Sequence, residues 1–481
     1  MKGYAMDRRE FIRKSALGAS LIVGSELAQH AIPFDVLADI RGGGVDIDEA
    51  LDMLEEGKKT NIMPQIRPEI QNSTRAVFLI ETQVSAEKDK NGCFSGAAPQ
   101  LQDAGRKVAS LVFVKGTQKG GSTWIKPNLT GVPDESFFPE VGINTSPNFM
   151  AGFVEGLRRI GNTNVMVGDR GGNARKHRGA GHYASFDPKN ITLVEAGYAA
   201  FAGYSPKLLN WHKVPNPVVW KNIPTYRPLG DPDNFFVNMP KLKAHNLGLA
   251  TLAVKNLQGA VVKGYGHYCD QWAALQNLAE KAYLIDFKRD FVEDYQQRVE
   301  AAFLKHRAAG FKYWDYEQSY PKYEAKGGWE AFKKIRNDTK NVNEFMKGVL
   351  NLMWDEQWCQ RAMDSAAAIK PSINIIEGVI GRDGSGFALG QDQLCNIVVA
   401  GMSPFEVDTV GSWIMGHDPL ELYFTRIFKE RGMGENDLQK IDIYRITDSG
   451  IERVKDISQI KRYRLGVNLH THLETGKLLF W

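Results

Sequence analysis

Short apolar runs recur along this chain, and each closes on a polar or glycine-rich segment. AVFLIET at 76–82, VASLVFV at 108–114, TWI at 123–125, NVMV at 164–167 and PVVW at 217–220 have the length and residue content of buried strands. So do NFFV at 234–237, INII at 373–376, NIVVA at 396–400 and KIDIYRI at 440–446. Helical stretches separate them. Ser146 and Pro147 open one through FMAGFVEGLRRI, with serine as cap and proline at the first position. A second is expected around Leu193–Tyr204. A third follows Ser403-Pro404-Phe405-Glu406, a capping box, and a fourth is ELYFTRIFKERG at 421–432. This alternation predicts an α/β layered fold with a largely parallel sheet flanked by helices.

Residues 263–370 break the rhythm. They read as long helices rich in Trp, Tyr, Lys and Glu, so they are expected to be a helical insertion or lid. It divides the α/β domain into a first part, 76–262, and a second part, 371–481. Trp272, Tyr283, Trp314, Trp329, Trp354 and Trp358 are read as helix-packing residues. Residues 39–75 are polar and are expected to wrap the surface.

The densest polar cluster lies in NMPKLKAHNLGLATLAVKNLQGA, Asn238–Ala260. Pro240 should end the strand before it, because it lacks a ladder donor. If the chain stays extended, Lys241, Lys243 and His245 point one way, since the side-chain period is two. Asn246 is the expected cap of a helix with apolar Leu249, Leu252, Ala253, Leu257 and Ala260. Cations at a strand end, leading into a helix N-terminus, suit an anion.

Other strands also end in polar residues: Lys126 and Asn128 after TWI, Asp169 after NVMV, Glu377 and Asp383 after INII, and Asp408 in the helix after NIVVA. In open α/β sheets, ligands sit at the carboxyl ends of parallel strands. Parallel strands would bring these groups, with Lys255 and Asn256, to one cleft. Plainer roles compete. Asp169 and Asp383, beside glycines, suit turns. Lys126 and Asn128 suit loop carbonyls, Glu377 a lysine, and the Lys255 stem can snorkel out.

The N-terminus adds an address. Arg8-Arg9-Glu10-Phe11 precedes SALGASLIVG, a run too short to span a bilayer, and Val36-Leu37-Ala38 suits signal peptidase. Residues 1–38 resemble a twin-arginine (Tat) signal peptide. They imply recognition by the Tat translocation machinery, folding before export, and a periplasmic or cell-envelope location. The 481 residues carry a net charge of only +4, dispersed along the chain, and no nucleic-acid-binding motif. Cys93, Cys269, Cys359 and Cys395 form no C-x-x-C pair, so no iron–sulfur motif is present. One or two disulfides stay open for an exported chain. GDRGG at 168–172 and GRDGSG at 381–386 match neither a dinucleotide fingerprint nor a P-loop.

Six segments occur together in one order: KPNL (126–129), VGD (167–169), NMPKLKAH (238–245), AVKNLQG (253–259), INIIEGVIGRDGSG (373–386) and SPFEVDTVGSWIMG (403–416). As a set they resemble the prokaryotic domain-of-unknown-function family 362, over roughly Ala76–Val262 and Pro371–Ile446. Some members of that family carry ferredoxin-like cysteine motifs, which this chain lacks, and some carry twin-arginine signals. The resemblance implies no particular reaction.

Two functional readings follow. In the first, the chain is an enzyme for a small anionic substrate, a carboxylate or a phosphate. Lys126, Asn128, Lys241, Lys255 and Asn256 would bind it, and His245, Lys243 and Asp169 would carry the chemistry. A divalent-metal variant would use Glu377, Asp383 and Asp408, with Asp169 beside them, as oxygen ligands. In the second, the chain is a non-catalytic envelope ligand-binding protein or the accessory subunit of a redox complex. It would then meet an envelope partner through the helical insertion.

Overall fold

A computed structural model describes residues 47–90, 94–129, 142–169, 192–195, 209–245, 248–261, 265, 292, 295–310, 354–384 and 390–466. The strands are β1 (Ile62–Ile66), β2 (Val77–Glu81), β3 (Phe113–Lys119), β4 (Ser122–Pro127), β5 (Val165–Asp169), β6 (Thr192–Glu195), β7 (Leu209–Lys213) and β8 (Asn222–Tyr226). They continue with β9 (Asn234–Met239), β10 (Lys241–His245), β11 (Leu249–Thr251), β12 (Ile373–Arg382), β13 (Asp392–Gly401), β14 (Ile443–Thr447) and β15 (Gly450–Arg453). The α-helices are α1 (Ile47–Gly57), α2 (Pro68–Gln71), α3 (Ala98–Val112), α4 (Pro147–Arg159), α5 (Ala253–Asn256), α6 (Tyr295–Ala308), α7 (Trp354–Ala368), α8 (Pro404–Ile414) and α9 (Tyr423–Glu430).

The main sheet has 11 strands in the order β15-β14-β2-β13-β12-β9-β4-β5-β6, with β10 paired to β12 and β11 to β10. The run β12-β9-β4-β5-β6 is parallel throughout. β12 and β13 form an antiparallel hairpin. This is the predicted α/β architecture.

Alternation along the strands builds two cores. Trp124, Met166 and Phe236 face one side, toward a core that also holds Leu252, Trp358, Val410 and Phe424. Ile125, Val167 and Val237 face the other, toward Val108, Phe149 and Phe153. On that second side α3 and α4 touch backbone to backbone. A Cβ on Gly105 would lie 1.9 Å from the Phe149 carbonyl oxygen, and one on Gly152 would lie 1.9 Å from that of Gln102. Only glycine allows that approach.

Several expectations need correction. VASLVFV is not one strand. Leu101, Ala104, Val108, Leu111 and Val112 keep a helical repeat and are buried in α3, and β3 begins only at Phe113. The longer period outweighs the β-branched content of a seven-residue window. PVVW is not a ladder strand either. The backbone N–H groups of Val218, Val219 and Trp220 donate to the Asp364 carboxylate, and β7 and β8 lie on either side. Leu193 lies in β6, not in a helix, because it pairs with Val167 of β5; residues 196–204 lie outside the described residues. The strand begun by INII runs on to Arg382, so Glu377 sits within it.

Asn246 itself lies outside the described residues; where its helix was expected, Leu249–Thr251 instead pair antiparallel with β10 as β11, and α5 begins at Ala253. Its cap comes from elsewhere in the chain, from Asp408. Pro240 does end β9, but the chain re-enters the sheet at Lys241 beside β12.

Ser146 caps α4 as expected, accepting from the Phe149 N–H. Ser403 caps α8 and bonds the Glu406 carboxylate, although its oxygen accepts from Phe405 N–H, one position earlier than a full capping box requires. Trp358 of α7 is buried in the core, edge to face with Phe424, and Trp354 opens the same helix. Trp272, Tyr283, Trp314 and Trp329 lie outside the described residues, as does the whole twin-arginine segment. Cys359 and Cys395 are buried and joined in no disulfide; Cys93 and Cys269 lie outside the described residues. No helix among the described residues is long and apolar enough to cross a membrane.

Candidate functional site

Polar side chains gather on both faces of the sheet near the carboxyl ends of β4, β5 and β9. On the face toward α5, Lys126 follows Trp124 by two and points the same way. Its Nζ lies 2.9 Å from Asp169 Oδ1. It also donates to the Pro127 carbonyl at 2.7 Å and to Asn256 Oδ1 at 3.1 Å. Asp169 Oδ2 accepts the Leu129 N–H at 2.9 Å. Asn128 Nδ2 donates to the same Asn256 oxygen at 3.2 Å.

From there a chain of asparagines crosses the sheet. Asn256 Nδ2 donates to Asn238 Oδ1 at 2.8 Å, Asn238 Nδ2 to Asn374 Oδ1 at 2.8 Å, and Asn374 Nδ2 to the Met402 carbonyl at 3.0 Å. Along this chain Asn256, Asn238 and Asn374 each donate onward, away from the Lys126 ammonium, and Asn256 Nδ2 also donates to the Lys126 carbonyl at 3.2 Å. An amide flip at one position would set donor against donor at the next, so the chain fixes each orientation. Gly259 covers the ion pair. A Cβ there would fall 2.4 Å from Asp169 Oδ1 and 2.6 Å from Lys126 Nζ.

The opposite face carries an ionic row. Lys241 pairs with Glu377, both fully buried. Glu377 also accepts the Ser146 N–H at 3.1 Å and the Val379 N–H at 3.0 Å. Lys243 donates to the Ile143 carbonyl at 2.7 Å. In the parallel β10–β12 register Lys241 stands beside Glu377 and Lys243 beside Arg382. Arg382 in turn pairs with Asp392 across the hairpin at 2.7 Å. The segment Gly142–Ser146 lies over this row. Gly142 rests on Arg382 and Asp392, Ile143 takes the Lys243 bond, and Ser146 holds Glu377. Thr145 joins the two faces. It accepts the Asn128 N–H at 2.9 Å, donates its own N–H to the Asn128 carbonyl at 3.1 Å, and donates its hydroxyl to the Met239 carbonyl at 2.9 Å.

The expected single cleft is thus two buried clusters hinged on Asn128 and Thr145. Lys126, Asn128, Asp169 and Asn256 come together on one face, and Lys241, Lys243 and Glu377 on the other. The three residues expected to carry the chemistry, Asp169, Lys243 and His245, are not gathered as a unit. Asp169 is engaged with Lys126, whereas Lys243 lies on the opposite face. His245 is buried at the end of β10, opposite Leu249. Lys255 places its Nζ 5.5 Å from the centroid of the Trp358 ring, within cation–π reach.

The three carboxylates expected to hold a metal do not form one ligand set. Glu377 serves Lys241, and Asp383 accepts the Gln391 N–H and closes the β12–β13 turn. Asp408 accepts the N–H groups of Ala253 at 2.6 Å and Val254 at 3.0 Å. Each is occupied by a different structural partner. Among the described residues no group of three or more His, Cys, Asp or Glu is placed to hold a metal ion. Burial pushes the Asp408 carboxyl up to about 8, against the pull of its two N–H donors. Burial also raises Asp383, opposed by its Gln391 bond and the Arg382 charge.

Asn238, Asn374, Thr145, Arg382 and Asp392 were missed by the sequence reading. Asn374 interrupts the apolar run INII, and Asn238 closes FFVN. A lone polar residue inside a buried strand was the available signal.

One of three comparisons with known proteins identifies a family. The model of the family described as Domain of unknown function (DUF362) matches residues 123–413. Comparison with curated proteins and with solved structures finds no match.

Proposed function

The chain belongs to the DUF362 family, and from the two clusters that the matched residues build we propose an enzyme that binds a small anionic substrate, carboxylate or phosphate. The observation that carries this reading is charge. Lys126, Lys241, Lys243, Lys255 and Arg382 are all buried near this edge, against Asp169, Glu377 and Asp392. Among the described residues Asp383 and Asp408 are further carboxyls near this edge, which leaves the cations in slight excess; Asp408, with its proton affinity raised to about 8, adds little negative charge at neutral pH. An excess of buried cations at the carboxyl ends of parallel strands favours an anion there.

The chemistry would be electrostatic. Ammonium groups whose positions are set before reaction stabilise charge that develops on a bound oxygen, without solvent reorganisation. Lys126, oriented by Asp169 and by the Asn256 carbonyl, is the group best fixed for that task. Lys241 and Lys243 would supply binding charge from the other face.

Thermal unfolding in phosphate, acetate or chloride at matched ionic strength tests the reading. An anion held at ten times its Kd adds about 1.4 kcal/mol, so phosphate or acetate should raise the midpoint above chloride. Lys243→Met should remove that gain while leaving the midpoint in chloride largely unchanged. Identical midpoints in all three salts would sink the anion site. Binding without turnover of any bound carboxylate or phosphate ester would leave a ligand-binding protein instead of an enzyme.

A further inference from the structure

The Arg382–Asp392 pair is bonded less completely than its burial calls for. Arg382 Nη1 donates to Asp392 Oδ1, and the two side chains are only 5% and 1% exposed. Arg382 Nε and Asp392 Oδ2 are both buried without a hydrogen-bond partner. An unmet buried donor or acceptor is costly, more so when charged. Folds retain such atoms where something else completes them.

The chemistry of the missing group is restricted. A guanidinium only donates and an ionised carboxylate only accepts. A single group that completes both atoms accepts from Nε and donates to Oδ2. A hydroxyl does both. A carboxylate or phosphate dianion accepts only, and would be repelled by Oδ2. The pair also stands next to the cations of the anion site, with Arg382 in register with Lys243 and Gly142 of the covering segment against both members.

We infer that Arg382 and Asp392 form a hydroxyl-reading subsite, so that the ligand carries a hydroxyl beside its anionic group. This inference rests on the anion-site reading above. The shared chemistry has two sources, a hydroxycarboxylate and a phosphorylated polyol.

Calorimetric titration of the full chain with two matched pairs tests it: glycerate against propionate, and glycerol 1-phosphate against propyl phosphate. The hydroxylated member of at least one pair should bind roughly 10-fold or more tightly than its partner. The pair that shows the preference identifies carboxylate or phosphate as the anionic group. Arg382→Lys keeps the charge but loses the guanidinium fork, and Asp392→Asn removes the carboxylate. Each should bring the ratio close to one while the unhydroxylated member still binds. Equal affinity within both pairs would mean that a trapped water completes the ion pair, and the inference fails while the anion site stands. No binding of any of the four removes the anion site and the inference with it. The ratio is measured first on the unmodified protein, so it holds even where a variant folds poorly.

Discussion

One sheet edge holds buried polar groups in two different ways. The face toward α5 starts from one ion pair, Lys126–Asp169, and otherwise relies on amides: Asn128, Asn256, Asn238 and Asn374 hand a chain of hydrogen bonds from Lys126 to the Met402 carbonyl. The face beneath Gly142–Ser146 relies on charge, with the Lys241–Glu377 and Arg382–Asp392 pairs. Neutral amides carry no net charge, so matched hydrogen-bond partners offset the cost of burying them. Buried ions need a counter-charge as well, and removing one member strands the other. The amide face therefore sets geometry at modest cost. The ionic face keeps charge out of water, where it acts most strongly on a ligand.

The contrast predicts a ranking. Glu377→Gln should be the most damaging change, because it leaves the Lys241 ammonium buried without its carboxylate. The expected loss is about 3–5 kcal/mol by urea denaturation. The double variant Lys241→Met with Glu377→Gln should recover much of it, since the stranded charge is gone. If Glu377→Gln costs no more than a single amide, the distinction between the faces collapses.

Asn238→Ala comes next, at about 1–3 kcal/mol. It removes one of the two bonds from Asn256 Nδ2, which keeps the Lys126 carbonyl, and takes away the donor to Asn374 Oδ1 and the Ala253 carbonyl. Combined with Asn374→Ala it should cost less than the sum of the singles, as expected when both act through one network. Strict additivity would show that the amides act independently.

The smallest effect belongs to Asp408, which ties the amide face to α8 by capping α5. Its folded carboxyl is raised to about 8 by burial, above its unfolded value near 4. The folded state therefore holds the proton more tightly. This contribution is present below the unfolded value and is lost as pH rises toward the folded one. Stability should fall between about pH 4 and pH 8, and Asp408→Asn should flatten that fall. The variant should cost about 1 kcal/mol at pH 5 for an impaired cap, and the gap to the unmodified protein should close and then reverse toward pH 8. A parallel pair of pH curves would contradict the raised carboxyl.

Much of the scaffold was legible because local signals agreed with the fold. Ser146-Pro147 marked α4, and the apolar runs at 123–125, 164–167 and 234–237 marked β4, β5 and β9. Where local and tertiary terms conflicted, the reading failed. Val108–Val114 looked like a strand by composition, yet Val108 and Val112 are helical positions that pack against Phe149 and Phe153. Asn246 looked like a cap, but the cap of α5 is Asp408, more than 150 residues away. A side chain so distant leaves no local trace.

The same division holds at the site. By itself the sequence determined which residues approach the edge, because strand ends, prolines and glycines mark where each segment turns. It named Lys126, Asp169, Lys241, Lys243, Asn256 and Glu377, and it carried the family match. Only the tertiary structure decided which of them meet. Strand alternation sends Lys126 to one face and Lys241 to the other, and the phase of that alternation depends on how β10 re-enters the sheet after Pro240. A one-residue change in that register would move every side chain of β10 to the other face. Sequence spacing carries the period of a strand, but the partner strand sets its phase.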